Sequence, residues 1–247
     1  MIVEEKLTLA DGAIYEGEAA NDKPSGKGKL TFPNGGFYEG DFLGGKRHGK
    51  GKSLFIDERN GINEYEGDWV NGRMHGKGKM TYVHEIGFRF LYEGDFLEGK
   101  RTGKGKFTEE IDGKMFYVYE GDFVDGKPNG KGTMTWSSGW IQEGDFVNGK
   151  IHGKGKETIG GNIYEGDFAC LKDFDNGEKY GKGKMAYANG DVYEGDWVED
   201  FCHGKGKMIY ADGRVEEGNW EFSRFIGNKK IRAKPPLKRR KFDGRKL

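Results

Sequence analysis

Glycine and lysine alternate in the motif Gly-Lys-Gly-Lys, the feature of this sequence that most resembles a chemical site. It occurs in "RHGKGKSL" from Arg47, in "MHGKGKMT" from Met74 and in several near-copies further along the chain. A Walker A phosphate loop needs the spacing Gly-x-x-x-x-Gly-Lys-Ser/Thr between a strand and a helix. No copy completes that pattern, and no helical period follows any of them. The repetition therefore favours a structural role over a nucleotide site.

Histidine and acidic residues also recur, and either type could support chemistry if several side chains converged. His48, His75, His152 and His203 occupy one position of the recurring pattern, whereas the ligands of a metal must meet at one point. The Glu and Asp residues are expected to face lysines, and the sequence offers no Ser-His-Asp or Cys-His arrangement. It therefore predicts no catalytic residue, no metal site and no bound cofactor.

The elements that position these residues are repeats of 22 to 29 residues. A period in this range is typical of repeat architectures. Each unit divides into two strand-like halves joined by a turn such as Asn71-Gly72, where Gly tolerates a positive φ. The units begin with Tyr-Glu-Gly-Asp/Glu at Tyr15, Tyr38, Tyr65, Tyr92, Tyr119, Tyr164 and Tyr193, with degenerate copies at Gln142 and Glu216.

Side-chain alternation gives each half-unit two different faces. In the third copy Tyr65 and Trp69 point to one face of a strand, and Glu66 and Asp68 point to the other. In the partner strand the lysines fall on the acidic face and the glycines on the aromatic face. We predict cross-strand ion pairs on one face, worth about 0.2–1 kcal/mol each. On the other face we predict rings that lie over strands left bare by glycine.

About eight and a half units predict roughly 17 strands. The predicted fold is all-β, an elongated, twisted, single-layer antiparallel sheet over residues 1–228, followed by a basic tail over residues 229–247. The order Tyr-Glu-Gly-Asp-Trp, Asn-Gly and His-Gly-Lys-Gly resembles the MORN repeat (membrane occupation and recognition nexus) over about residues 7–222. This resemblance implies tandem hairpins in one sheet with an aromatic-lined groove.

Four positions depart from the repeat pattern. Gln142 and Glu216 replace the leading Tyr, Ala19 replaces the aromatic residue, and Asp200 replaces the turn glycine. The aromatic groove is therefore expected to be interrupted around Gln142 and Glu157.

The aromatic face is predicted to bind a partner, either a helix or an extended segment. No part of the array is free to cover this face, and large exposed aromatic and methionine surfaces mark binding sites. The alternative is that the rings only seal the face over the strand glycines, and both roles can hold at once. The predicted groove residues are Tyr38, Phe42, Tyr65, Trp69, Met80, Tyr82, Tyr92, Phe96, Tyr119, Phe123 and Trp136.

Charge is divided unevenly along the chain, although the formal net charge is +0. Residues 229–247 hold ten Lys or Arg and one acid, so this tail carries +9 and the rest of the chain −9. A basic arm of this kind can meet an acidic protein, an anionic lipid or a nucleic acid, or can simply be solvated. Its predicted contact residues are Lys229, Lys230, Lys238, Arg239, Arg240 and Lys241.

Composition argues against an ordinary globule. Gly contributes 45 of 247 residues and hydrophobic residues only 34%, yet aromatic residues reach 14%. Cys170 and Cys202 form no disulfide framework. No apolar run is long enough to span a membrane, and the first residues do not resemble a signal peptide. We expect a soluble cytoplasmic protein, with the cytoskeleton or a cilium as its setting.

The function expected from this sequence is that of a non-enzymatic scaffold. The resemblance implies assemblies of the cytoskeletal or ciliary type, such as radial-spoke-like complexes, and edge strands at either end could pair two copies of the chain. Two alternatives stay open. One is a phosphoinositide or membrane-surface adaptor that uses the basic tail, because MORN segments accompany some lipid kinases. The other is a regulatory subunit of a separate enzyme.

Overall fold

The computed structural model describes residues 3–58, 61–84, 87–170 and 177–228. Within them the chain forms one open antiparallel sheet of 19 strands, which confirms the predicted all-β, single-layer class. Each strand pairs with the next one in sequence from β1 to β19. The strands are β1 Val3–Thr8, β2 Ile14–Ala19, β3 Pro24–Thr31, β4 Phe37–Leu43, β5 Lys46–Ile56, β6 Ile62–Val70, β7 Arg73–His84, β8 Phe88–Leu97, β9 Lys100–Ile111, β10 Lys114–Val124, β11 Lys127–Trp136, β12 Ile141–Val147, β13 Lys150–Ile159, β14 Asn162–Ala169, β15 Glu178–Ala186, β16 Val192–Val198, β17 Phe201–Ile209, β18 Val215–Glu221 and β19 Arg224–Gly227.

The described residues contain two strands more than the roughly 17 that the repeat count predicts. One strand is added at each end of the array, because Val3–Thr8 pairs with β2 and Arg224–Gly227 pairs with β18. Neither segment carries the repeat motif. Both cover the backbone of a terminal repeat, as capping segments do in repeat proteins.

One face of the sheet holds the core. The leading tyrosine of each regular unit is at most 1% exposed, and its ring lies over a glycine of the following strand. A Cβ built on Gly78 would come 2.4 Å from Cε2 and 2.4 Å from Oη of Tyr65. The same overlap recurs at Gly28, Gly51, Gly105, Gly132, Gly183 and Gly206, beneath Tyr15, Tyr38, Tyr92, Tyr119, Tyr164 and Tyr193.

The two glycines of Gly-Lys-Gly-Lys have different structural roles, and side-chain alternation alone does not distinguish them. The second glycine, such as Gly78, leaves space for the ring. The first, Gly76, has φ +58° and lies within a β-bulge, in which Gly76 and Lys77 fall opposite the step from Gly67 to Asp68 of the partner strand. That left-handed conformation favours glycine. The bulge is held by the Lys77 amide, which donates to Asp68 Oδ2 at 3.0 Å.

The opposite face carries the predicted ion pairs. Lys50 Nζ lies 2.5 Å from Asp68 Oδ1, so this contact joins two successive repeats rather than the two strands of one hairpin. The lysine side chains are about 70% exposed, so each pair contributes little, about 0–1 kcal/mol. Equivalent pairs are Lys27–Asp41, Lys77–Asp95, Lys104–Asp122, Lys131–Asp145, Lys154–Asp167 and Lys182–Asp196.

Among the described residues there is no helix of sufficient length and apolar character to span a bilayer. The boundary at residue 228 stays a prediction, because residues 229–247 lie outside the described part of the chain.

Acid should destabilise the sheet through these aspartates. The side chain of Lys27 and the backbone amide of Lys50 hold the pKa of Asp41 below its ordinary value, and the side chain of Lys50 does the same for Asp68. A carboxyl whose folded pKa is depressed stabilises the fold above its unfolded pKa, about 4, and loses that contribution as pH falls through the folded value. We expect the urea midpoint to be level between about pH 7 and pH 5 and to fall below about pH 4.

The matched control is the Asp41→Asn, Asp68→Asn double variant, which should be less stable at neutral pH and lose less on acidification. An acid profile identical to that of the unmodified chain would show that these carboxylates do not carry the effect.

Candidate functional site

The inner row of the aromatic face is defined by the rings at the first and fifth positions of each unit, as Tyr65 and Trp69 are in the third. Most of the predicted groove residues lie in it, and all of these are at most 4% exposed. These rings are therefore almost fully covered, and the accessible part of the aromatic face lies beside them. The predicted residues in the inner row are Tyr38, Phe42, Tyr65, Trp69, Tyr92, Phe96, Tyr119 and Phe123.

Edge-to-face contacts connect the inner row from one repeat to the next. Tyr65 contacts Trp69 of its own strand at 5.2 Å between ring centroids and Phe96 of the next repeat at 5.0 Å. Such pairs add about 0.5–1.5 kcal/mol beyond the buried area. The Tyr65 hydroxyl donates to the Asp68 carbonyl at 2.9 Å, which satisfies both groups at the bulge. Burial raises the pKa of the equivalent Tyr38 to about 12, so these phenols stay protonated.

A second line of rings, the outer row, runs beside the inner row and is partly accessible. It comprises Phe55, Tyr82, Phe90, Tyr117, Trp136 and Trp140, all half-buried. Tyr82 stacks on Phe90 at 5.9 Å, and Trp136 stacks on Trp140 at 4.0 Å. Tyr82 and Trp136 belong to the predicted groove, and the third accessible member of that prediction, Met80, is half-buried opposite Tyr92.

Phe90, Tyr117 and Trp140 were missed by the sequence reasoning, although a signal for them exists. Each lies two residues before the leading position of a unit, at Tyr92, Tyr119 and Gln142 respectively. One further step of the same alternation therefore places them on the aromatic face.

Two adjoining cavities open between the rows. One, of about 250 Å³, is lined by residues that include Arg47, Phe55, Trp69 and Met74. The other, of about 380 Å³, is lined by residues that include Tyr82, Phe90, Arg101 and Phe107. Asn63 and Gly99 line both cavities, so the two are adjacent, and together they are called the depression between the rows.

The expected interruption occurs at Gln142, where polar groups replace the inner row. Gln142 and Trp140 both donate to Glu157 Oε2, each at 3.1 Å. Glu157 Oε1 accepts from the ammonium of Lys179, and the two side chains are 7% and 11% exposed. Ile151 fills the space that a tyrosine ring would occupy, because a Cβ on Gly155 would come 2.6 Å from its Cδ1.

A broad concavity lies on the opposite, charged face. This trough of about 1450 Å³ has glycines on its floor and lysines and glutamates along its walls. Many of these lysines are already paired, as Lys104 is with Asp122 at 2.7 Å and Lys106 with Glu120 at 3.5 Å. Six of the seven lysines in its lining are paired with a carboxylate, so most of its positive charge is neutralised.

Among the described residues no group of three or more His, Cys, Asp or Glu side chains converges in a way that could hold a metal ion. Cys202 is buried, and burial raises the pKa of its thiol, which disfavours the reactive thiolate. The predicted basic contacts Lys229, Lys230, Lys238, Arg239, Arg240 and Lys241 lie outside the described residues.

Comparison with protein families gives a match to the family described as MORN repeat. No similar sequence was found among curated proteins. The family matches fall on residues 15–37, 38–57, 65–83, 92–108, 119–141, 143–160, 173–192 and 193–213.

Removing the buried carboxylate of Glu157, at the interruption of the inner row, should lower the free energy of unfolding. Glu157→Gln leaves the Lys179 ammonium with only the exposed Asp200, 3.3 Å away, as a carboxylate partner, and loss of one member of a buried pair destabilises by about 3 kcal/mol. Glu165→Gln is the matched control, because Glu165 pairs with Lys156 at 3.4 Å on the exposed face; its expected effect is below about 1 kcal/mol. Urea unfolding measures both, and equal losses would contradict a structural role for the buried pair.

Proposed function

Since the chain belongs to the MORN-repeat family, we propose that it is a non-enzymatic scaffold that binds a protein partner on its aromatic face. Repeats of this family are non-enzymatic modules that mediate protein or membrane interactions. The contact surface is the outer row with its two cavities, and the inner row supports it from below.

The observation that carries the proposal is the accessible outer row itself. Half-buried aromatic rings run side by side across the central strands, from Phe55 to Trp140, and each strand packs chiefly on its neighbours in sequence. The described residues thus provide no second layer over these rings. Contiguous aromatic and methionine surfaces of this kind are typical of protein interfaces.

The proposal extends to the setting of the protein. We expect it in the cytoplasm, within a cytoskeletal or ciliary assembly of the radial-spoke-like type, because the resemblance to MORN arrays implies that setting. A single-layer sheet suits such a role, since it exposes a long surface for its mass.

Three further modes of association are proposed. The basic tail, with its charge of +9, would bind an acidic protein, an anionic lipid or a nucleic acid, and with lipid it would make the chain a membrane-surface adaptor. The array would alternatively regulate a separate enzyme through the same aromatic face. Dimerisation through the sheet edges is the weakest mode, because β1 holds Glu4, Glu5 and Lys6, and charged, short edge strands oppose pairing.

The outer row can be tested by removing two of its rings. Tyr82→Ala with Phe90→Ala should lower the recovery of specific partners from an extract of the source cells by at least about tenfold, because aromatic anchors dominate interface energies. The amounts are measured by quantitative mass spectrometry after affinity capture. Circular dichroism and the thermal midpoint verify that the variant is folded.

The matched control is Leu97→Ala with Val124→Ala, which removes two side chains that are 53% and 51% exposed. They alternate with the inner-row rings and so lie on the charged face. A third sample is the chain truncated after residue 228, which lacks the basic tail. If the Tyr82→Ala, Phe90→Ala variant still recovers the partners, the proposal is contradicted. If only the truncated chain loses them, binding is assigned to the tail.

A further inference from the structure

Two arginines occupy a repeat position that elsewhere holds mostly uncharged residues. This position lies directly opposite the second inner-row ring of each unit, so that Arg47 pairs with Phe42 and Arg101 with Phe96. The equivalent residues of other repeats are Pro24, Met74, Pro128, Ile151, Lys179 and Cys202. Lys179 is the other cation at this position, and it is paired with Glu157.

Both guanidinium groups lie against aromatic rings. The Arg47 guanidinium carbon is 4.5 Å from the ring centroid of Trp69 and 5.1 Å from that of Phe55. The Arg101 guanidinium carbon is 4.8 Å from the centroid of Phe107. Stacking of this kind holds the planar cation in place and leaves its edge available.

Each arginine also anchors the neighbouring turn with one of its nitrogens. Arg47 Nη2 donates to the Gly72 carbonyl at 2.8 Å, and Arg101 Nη2 donates to the Gly126 carbonyl at 2.6 Å. A guanidinium has five N–H donors. Each group is therefore fixed by a single carbonyl while most of its donors stay available for an acceptor.

Charge in the depression between the rows is unbalanced. Its lining includes four cations, Arg47, Arg73, Lys100 and Arg101, and no carboxylate. Arg73 pairs with Glu98 at 3.3 Å, and Lys100 pairs with Asp125 at 2.9 Å. Among the described residues no carboxylate oxygen lies within 4.0 Å of either Arg47 or Arg101. These two positive charges are thus the ones that an occupant could neutralise.

The two arginines are two repeats apart, with Met74 at the position between them. Four strand spacings of about 4.8 Å separate them by about 19 Å across the sheet. A segment that joins them must cross the strands, so it cannot add to the sheet by backbone pairing, which requires a strand edge. Its backbone groups must then pair with water or with one another, and an α-helix pairs most of them internally, which suits burial against the rings.

From this geometry we propose that the partner segment is an acidic amphipathic helix. Two of its carboxylates bind Arg47 and Arg101, and its apolar side chains between them contact Met74 and the outer row. A helix rises 1.5 Å per residue. Two positions that lie on one helix face and are about 11 or 14 residues apart therefore span the required distance. A carboxylate accepts paired bonds from a guanidinium, which fixes the register of the helix. This inference rests on the proposed binding role of the aromatic face.

The test uses three synthetic helical peptides that share one apolar pattern and differ only at two positions 11 residues apart, which hold Glu, Gln or Lys. Binding to the full-length protein is measured by fluorescence anisotropy at low ionic strength. We expect the Glu peptide to bind about tenfold or more tightly than the Gln peptide, and the Lys peptide to bind most weakly.

The discriminating variant is Arg47→Met with Arg101→Met. Met74 already occupies the equivalent position in the repeat between them, so this variant should fold, and circular dichroism checks that it does. The preference for Glu over Gln should disappear. Arg73→Met, which removes a cation already paired with Glu98, is the matched control and should keep the preference.

Equal binding of the Glu and Gln peptides, no binding of any peptide, or a preference that survives in the double variant would overturn the acidic-helix proposal. Binding of phosphatidylserine vesicles that the double variant loses would assign the arginines to lipid headgroups instead. A dimer of this chain that dissociates in the double variant would assign them to a second copy. The partner-recovery experiment with Tyr82 and Phe90 is independent of these outcomes, so the binding role of the face can stand if this inference fails.

Discussion

The contact on which the structure depends is a tyrosine ring lying flat over the glycine of an adjacent strand. A sheet of one layer has no second layer to bury its apolar side chains, so the rings must find their covered surface within the sheet. They do so on bare backbone, and each leading tyrosine thereby becomes almost fully buried. This accounts for a composition rich in both glycine and aromatic residues and poor in aliphatic ones. Any side chain at the glycine would occupy the volume of the ring.

The bulge completes this arrangement and makes it periodic. It brings the tyrosine hydroxyl to a carbonyl of its own strand and places the first glycine of the Gly-Lys-Gly-Lys motif at positive φ. Edge-to-face contacts between successive units then join one ring to the next. The series is broken where Gln142, Glu157 and Lys179 substitute a polar network for the ring. Beside it, longer central strands extend the aromatic face by one step and create the outer row, so the same alternation supplies both the core and the accessible surface.

The sequence allowed much of this fold to be predicted, because the period and the alternation are properties of the residues themselves. Tyr65 and Trp69 on one face, Asp68 opposite a lysine, and the interruption at Gln142 all follow from counting along strands.

Other features required coordinates. Alternation assigns Tyr65 and Tyr82 to one face but does not reveal that the first is buried and the second accessible, since depth depends on the neighbouring strand. The different purposes of Gly76 and Gly78 depend on a bulge, which is a backbone feature without a side-chain period. The pairing of Lys50 with Asp68 across a repeat boundary likewise depends on register.

The most direct test of the ring-over-glycine contact is a double-mutant cycle on Tyr65 and Gly78, followed by urea unfolding. In the unmodified chain Gly78→Ala should cost about 2–3 kcal/mol, because the new Cβ overlaps the tyrosine ring. In a Tyr65→Ala background the ring is absent, and the same substitution should cost close to nothing, since alanine is no worse than glycine in a strand. A penalty of equal size in both backgrounds would show that the ring and the glycine are not coupled and would contradict this explanation of the fold.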